Sequence, residues 1–498
     1  MQKTILPLFI FISLQTAAQN VGIGNTAPSN KLHVTASANP LRLEGLQSGA
    51  GTDSLLTVDA TGVVRRRINN VTAWSLSGNA GTSAVSNFLG TTDYTSFSIR
   101  TNNQRSAFID ADSTRRNNSL GSKSLNVITS GIGNNAIGFV ALSNVSTGSS
   151  NVAMGDSAAF NITTGINNIS LGTDALLAAI SSSGNVAIGT NALRNTISSE
   201  NIAIGNNAAA ANFVASNVLA IGANSLKNNQ ASFTQMAIGN NALLNINGGI
   251  ENIGIGFNSG LSLTSSNYNV LLGHYALSST TGASNNTIIG HNAGLAYTAT
   301  GSTNNTFIGY QAGFSQIGGT GNTYVGASVD LPGNTTLSNS SALGQGVSIT
   351  ASNQVRIGNT SITSIGGQVG WTTFSDARIK EDIKEDVPGL NFINRLRPVS
   401  YHYNISALHK IQGNKAAISD DAAVFETIKF TGLIAQEVEA ASNLIHYNFS
   451  GVDKPTNEQT PYGLRYAEFV VPLIKAVQEM KILIDTQQKQ IDELKKKL

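Results

Sequence analysis

Glycine returns at a fixed step through half of this 498-residue chain. It stands at Gly138, Gly155, Gly172, Gly189, Gly205, Gly222, Gly239, Gly256, Gly273, Gly290, Gly309 and Gly326, and nine of the eleven intervals are 17 residues. A period of that length marks a quasi-one-dimensional fold, in which each copy is one coil that cannot bury its apolar face alone. A stack of such coils is first a shaft or a binding surface, and only secondarily a place for chemistry.

Within each copy the residue before the glycine is aliphatic, from Ile137 through Val325. The residue three before it is often aliphatic too, as in Val152, Ile169 and Val186, and the position between is mostly Ala, Ser or Gly up to Gly254. That alternation predicts a three-residue strand with the aliphatic face inward, leaving a small-residue face that a neighbouring chain can approach. Four before the glycine stands Asn in most copies, among them Asn134, Asn151, Asn168, Asn185 and Asn201, positioned for a hydrogen-bonded ladder from coil to coil. Three after it stands Ala or Ser, from Ala141 to Ala312, which suggests a tight corner. Twelve to fourteen coils at about 4.8 Å each make a rod of roughly 60 Å.

These copies resemble the Asn-x-Ala-Ile-Gly-x-x-Ala repeats in the heads of trimeric autotransporter adhesins. Asn185-Val-Ala-Ile-Gly-Thr-Asn-Ala and Asn201-Ile-Ala-Ile-Gly-Asn-Asn-Ala carry the likeness. The resemblance implies a parallel β-roll with three chains side by side. The step here is longer than is usual in those heads, and no C-terminal membrane barrel follows.

Composition narrows the function classes. Charged residues make up 12% and the net charge is +2, with no basic stripe to neutralise phosphates, which argues against nucleic acid. A hydrophobic content of 41% is ample for a core and argues against disorder. Cysteine is absent, so no disulfide or thiolate metal site is available. Lys3, the apolar run Ile5 to Leu14 and Thr16-Ala17-Ala18 read as an export signal over residues 1–18, cleaved after Ala18, and predict a secreted or surface-located product. No other segment is apolar enough to span a bilayer.

The remaining organisation follows from shifts in pattern. Residues 19–120 are β-rich, with Val21-Gly-Ile-Gly, Lys31-Leu-His-Val and Leu55-Leu-Thr-Val separated by turn residues, and Trp74, Phe88, Tyr94, Phe97 and Phe108 as seeds of small cores. The repeat occupies 121–365. Over 366–466 charge rises and repeats vanish: Asp376–Asp386 and Gly389–Leu396 read as helices, Val399–Tyr403 as a strand, Asn404–Lys429 as an insertion, and Phe430-Thr-Gly-Leu-Ile-Ala-Gln-Glu-Val as a strand entering a helix. In 467–498, Val470, Leu473, Val477, Met480, Ile484, Gln487, Ile491, Leu494 and Leu498 alternate by three and four, the pattern of a coiled coil; packing of that helix on its own domain is the alternative.

The sharpest chemical candidate is Ser375-Asp376-Ala377-Arg378-Ile379-Lys380. It resembles the Ser-Asp-x-Arg-x-Lys signature opening the intramolecular chaperone domain of phage endosialidase tailspikes, a domain that myelin regulatory factors also carry. Leu396-Arg-Pro-Val-Ser-Tyr, Gly432-Leu-Ile-Ala-Gln-Glu-Val, Tyr466 and the helix from Phe469 to Met480 follow in that family's order. The resemblance implies a trimeric folding aid, an α+β serine autopeptidase that cuts itself off once, with Ser375 as nucleophile and Lys380 as its base. A serine hydroxyl needs a base, and lysine serves only when neutral, which burial or a nearby cation such as Arg378 can arrange. Which bond beside Ser375 breaks is left open. The bland reading makes Ser375 or Asp376 a helix cap and Lys380 a solvated side chain.

Other chemistry is sparse. The repeat region holds only Asp156, Asp174, Glu200, Glu251 and Asp330 as carboxylates, and no pair suits the two-carboxylate geometry of a glycosidase within one chain. His274 and His291 stack one coil apart in a variable, surface-type column. No cofactor or metal site is expected. The expected fold is a mainly β, parallel β-solenoid or β-roll shaft, a small α+β chaperone domain and a coiled coil, in a homotrimeric fibre that engages a surface glycan or host ligand. A carbohydrate-active spike with an intersubunit site, and a fibre that keeps its chaperone domain uncut, stand as alternatives.

Overall fold

The computed structural model describes residues 85–230, 234–330, 335–413 and 420–498, with four short strands and a few intervening residues before them. The export signal expected at 1–18 lies outside the described residues. The chain divides into two units, Met1–Leu89 and Gly90–Leu498. In the first, Val21–Ile23 pairs in parallel with Leu32–Val34, and Leu55–Val58 pairs antiparallel with Val64–Arg67. The aromatic seeds do not form cores there or at the start of the second unit: Trp74, Phe88 and Tyr94 are exposed, and Phe108 lies under the Arg105 guanidinium, 4.7 Å from its ring centre.

The second unit opens with a hairpin, Phe97–Thr101 against Gln104–Ile109, turned by Asn102 and Asn103, both at positive φ. Two such residues are what a twisted two-residue hairpin turn requires. The second hairpin strand pairs antiparallel with Asn118–Leu120, where the parallel ladder begins. From there each three-residue strand pairs in parallel with the strand of the next coil, up to Ser341–Leu343 against Val355–Ile357. The shaft is a β-solenoid of about 14 turns. Strand register survives coils of unequal length: Val186 faces Ile202 and Thr287 faces Thr306. The longer coil adds a small second ladder, Ala283–Ser284 with Ser302–Thr303.

The strand faces are the reverse of the expectation. The small central residues Ala136, Ala153, Ser170, Ala187, Ala203 and Ala220 point into the coil and are enclosed, whereas Ile137 and Met154 keep 44% and 49% of their surface on the outside. The reason is the thinness of the coil. Leu142, Leu176, Leu193, Leu226 and Leu243 enter from the opposite wall and fill the interior, so the strand can offer only a methyl group or less. Those leucines hold a left-handed backbone, φ 47° to 55°, which non-glycine residues seldom adopt. Further along the sizes exchange. Gly260 and Gly313 take the leucine position, and Leu271 and Phe307 fill the space from the strand; a Cβ on Gly313 would lie 2.8 Å from the Phe307 ring.

The periodic glycine sits at φ between 121° and 144° from Gly121 through Gly344. A Cβ on Gly205 would lie 2.5 Å from the carbonyl oxygen of Gly222 in the next coil. Both conformation and close approach therefore exclude a side chain. The asparagines form a buried ladder: Asn168 donates to Asn151 Oδ1 at 2.9 Å and to the Ser182 carbonyl at 2.9 Å, and accepts from the amide and side chain of Asn185. A second ladder, part-buried and not anticipated, runs Asn191, Asn207, Asn224, Asn241, Asn258.

After the last coil comes a small α/β region. Helix α1 is Leu390–Ile393, α2 Ile405–Gln412, α3 Asp420–Glu426, α4 Ala435–Leu444 and α5 Val470–Lys497. Val399–Tyr401 pairs antiparallel with Phe430–Gly432. Phe392, Val438, Phe449 and Phe469 form its core, with Phe449 and Phe469 ring centres 4.7 Å apart. The start of α5 is held there by Pro472 and Ala476, and Glu479 accepts the Leu390 amide at the head of α1, 2.7 Å. Val470, Leu473, Val477, Met480, Ile484, Ile491 and Leu494 stay exposed along that helix. Among the described residues no helix is long and apolar enough to cross a membrane.

Candidate functional site

Ser375 to Lys380 lies on the segment joining the last coil to α1. The helix expected over Asp376–Asp386 reduces to one 3-10 turn, Ala377–Ile379, with no buried residue. A short helix without a packed face does not offset its nucleation cost, and Asp382 at φ 53° interrupts it further. Asp376 caps that turn: its Oδ1 accepts the Arg378 amide at 2.9 Å. The same carboxylate takes the Arg378 guanidinium, with Nε 3.0 Å from Oδ2. The pairing holds the Asp376 carboxyl below its ordinary range and raises the guanidinium.

Two consequences follow. Capping falls to Asp376, which leaves the Ser375 hydroxyl free, and the Lys380 Nζ donates to Ser375 Oγ at 2.7 Å. Arg378, expected as a cation acting on Lys380, instead has its charge balanced by Asp376. Every residue from 362 to 386 is exposed, including Ser375 and Lys380. In the single chain the Lys380–Ser375 contact therefore lies in water.

The motifs downstream interlock. Arg397 Nε donates to Glu437 Oε2 at 3.1 Å, tying the Leu396-Arg-Pro-Val stretch to α4, and the Glu437 carboxyl is held low by that guanidinium. Gly432 leaves room for Tyr466, whose hydroxyl would lie 2.3 Å from a Cβ there and accepts the Leu433 amide at 2.9 Å. Beside this junction lies an open cavity of about 640 Å³, walled by Tyr401, Tyr403, Leu433, Ile434, Pro461 and Tyr466. The Tyr401 hydroxyl, bonded to that of Tyr403, is pushed up to about 12. The cavity rim reaches the shaft: Asn457 donates to the Thr350 carbonyl at 2.7 Å and Thr460 meets the Thr350 hydroxyl at 3.1 Å in the final coil. Neither cavity nor rim was anticipated from sequence, because their walls come from four separate stretches.

On the shaft, Asp174 pairs with Arg194 at 3.4 Å, Asp156 accepts the Phe139 amide at 3.4 Å, and Asp330 takes the amide and hydroxyl of Ser315. Glu200 and Glu251 are exposed at corresponding corners three coils apart. His274 and His291 stack with ring centres 6.1 Å apart, inside an exposed column with Phe257 and Tyr310.

Residues 375–446 match the family described as chaperone of endosialidase. The match opens at Ser375 and covers the strand pair and α4; Tyr466 and α5 fall beyond it. The C-terminal region therefore carries a chaperone-of-endosialidase domain behind a β-solenoid shaft. No curated protein matches the chain.

Proposed function

We propose that this chain is a secreted, homotrimeric surface fibre whose C-terminal domain aligns three shafts and then severs itself between Phe374 and Ser375. The observation that carries the assembly is the outward face of the shaft. Val152, Met154, Ile169, Ile202, Ile204, Val270 and Leu272 stand exposed in two parallel columns along the stack. Such columns, about 65 Å long and about 10 Å wide by strand geometry, exceed the few hundred Å² of apolar patch usual on a monomer. Copies of the same chain carry the same spacing, so they match one another coil for coil. Coils of nearly equal sequence can also slip by one repeat at little cost. The exposed apolar seam of α5 and the domain before it set the register.

The cleavage reading rests on the 2.7 Å contact of Lys380 with Ser375. Once neutral, Lys380 takes the Oγ proton and the oxygen attacks a carbonyl carbon. Attack on the Phe374 carbonyl closes a five-membered ring, whereas attack on the carbonyl of Ser375 itself closes a strained four-membered one. The Phe374–Ser375 C–N bond breaks, the amine of Ser375 takes the proton, and an ester joins Phe374 to Oγ. Water then hydrolyses the ester to the Phe374 carboxylate and the free hydroxyl. Nucleophile and carbonyl share one chain, so proximity replaces substrate binding. Because the lysine must leave water to act, cutting follows assembly.

A denaturing gel tests this. Wild type gives two fragments, the smaller beginning at Ser375 on N-terminal sequencing; Ser375→Ala and Lys380→Ala each give one uncut band. A single wild-type band, or two bands from Ser375→Ala, overturns self-cleavage. N-terminal sequencing of the larger fragment reads the export signal: it begins at Gln19.

A further inference from the structure

The segment before the cut carries large apolar side chains with nothing to cover them: Val369, Trp371 and Phe374 keep 86%, 88% and 91% of their surface. No charged residue occurs from 357 to 375. The cavity of about 640 Å³ beside α4 is open, its wall of aromatic and aliphatic groups rimmed by Gln436, Asn457, Glu458 and Thr460, and its Ile434, Tyr403 and Tyr466 are themselves part-exposed at 39%, 44% and 52%. An uncharged segment with large apolar side chains and a cavity with an aromatic and aliphatic wall therefore lie exposed in the same C-terminal region. We infer that the cavity of each copy receives Trp371 and Phe374 of a second copy of this chain.

Three features favour a neighbour as the occupant. The cavity rim is pinned to its own shaft through Asn457 and Thr460 on Thr350, which fixes it at the level of the final coil. The outer aliphatic column of the shaft ends with exposed Leu343 and Ile357, and the exposed Ile362 and Ile365 follow in sequence before Trp371. Copies packed along that column bring this segment of one chain beside the domain of the next. The chain's own segment, finally, lies exposed and undocked over its whole length. Docking of Phe374 carries the adjoining Ser375 and its lysine partner out of water. The inference thus rests on the self-cleavage reading for its consequence, while the docking itself stands or falls separately.

The experiment uses full-length protein bearing Ser375→Ala, so no cut is needed, and Trp74→Phe, which leaves Trp371 as the sole tryptophan. In the assembled protein Trp371 emission is expected to be blue-shifted and shielded from iodide. Ile434→Asp places a carboxylate in the cavity, and Asp at this position, the N-cap of α4, is a favoured cap, so the domain still folds. This variant is expected to lose both the shift and the shielding. In mixed assemblies, one copy keeps Trp371 but carries Ile434→Asp, and the other carries Trp371→Ser and Phe374→Ser with an intact cavity. Emission then returns to the blue-shifted position. Emission that is solvent-like in the starting protein, unchanged by Ile434→Asp, or not restored on mixing overturns the inference. A gel on the same proteins with Ser375 restored reads cleavage independently.

Discussion

The Asn168 side chain makes four hydrogen bonds in a wall where no solvent reaches it, two as donor and two as acceptor, and its neighbours Asn151 and Asn185 repeat the arrangement. Two of them satisfy backbone groups at the coil's turn, the Ser182 carbonyl and the Asn185 amide. Asn168→Ala would orphan the Asn185 amide and the Ser182 carbonyl, each costing about 1–3 kcal/mol. The expected result is a lower unfolding midpoint in denaturant and faster proteolysis at that coil, with the other coils retained; an unchanged midpoint would remove the ladder from the account of stability. Val218 shows how one interruption is tolerated: its amide still donates to Asn201 Oδ1 at 3.0 Å. The asparagine step was legible in sequence because it repeats. The left-handed leucines were not, since no residue type announces a backbone that tertiary packing imposes.

At the scale of one element, the exchange of large and small residues gives nearly identical coils distinct interiors. Phe307 occupies space that a leucine fills elsewhere, with Gly294 and Gly313 making way for it. Phe307→Ala should cost about 3–5 kcal/mol, as for other enclosed aromatics. Adding Gly313→Leu restores the pattern of the earlier coils, so the double variant is expected to recover part of the loss; a double variant worse than the single one would contradict the exchange. In the C-terminal domain, α4 is tied by carboxylates to groups outside it. Glu437 is held low by Arg397, and Glu439 by Lys454 and then Tyr462. A depressed carboxylate contributes stability above its unfolded value near about 4.3 and loses it as pH falls through the folded value. The domain should therefore weaken on acidification below that point, and Glu437→Gln with Glu439→Gln should flatten the dependence in a thermal melt against pH. Glu437 was visible in the sequence only as a motif letter; its partner Arg397, 40 positions away, needed the fold.

For the proposed assembly, the test lies in the outer columns. Ile169→Lys with Leu272→Lys changes nothing inside the coil, because both side chains point outward and are exposed. The variant is expected to keep its far-ultraviolet circular dichroism yet run as a monomer in native mass measurement, and to remain uncut at Ser375. A trimer that persists would move the interface elsewhere, and a cut monomer would break the link between assembly and cleavage.

The period of the glycines, the asparagine ladder and the order of motifs after Ser375 determined the solenoid and the nature of the C-terminal domain, because each depends on contacts between residues at a constant separation or within a short stretch. Which strand face turns inward was decided by tertiary structure alone. Alternation states that two faces differ; only the leucines crossing from the opposite wall show that the smaller one must be inside. The same limit applies to Ser375: its spacing to Lys380 is written in the chain, but whether water surrounds the pair depends on what packs over it.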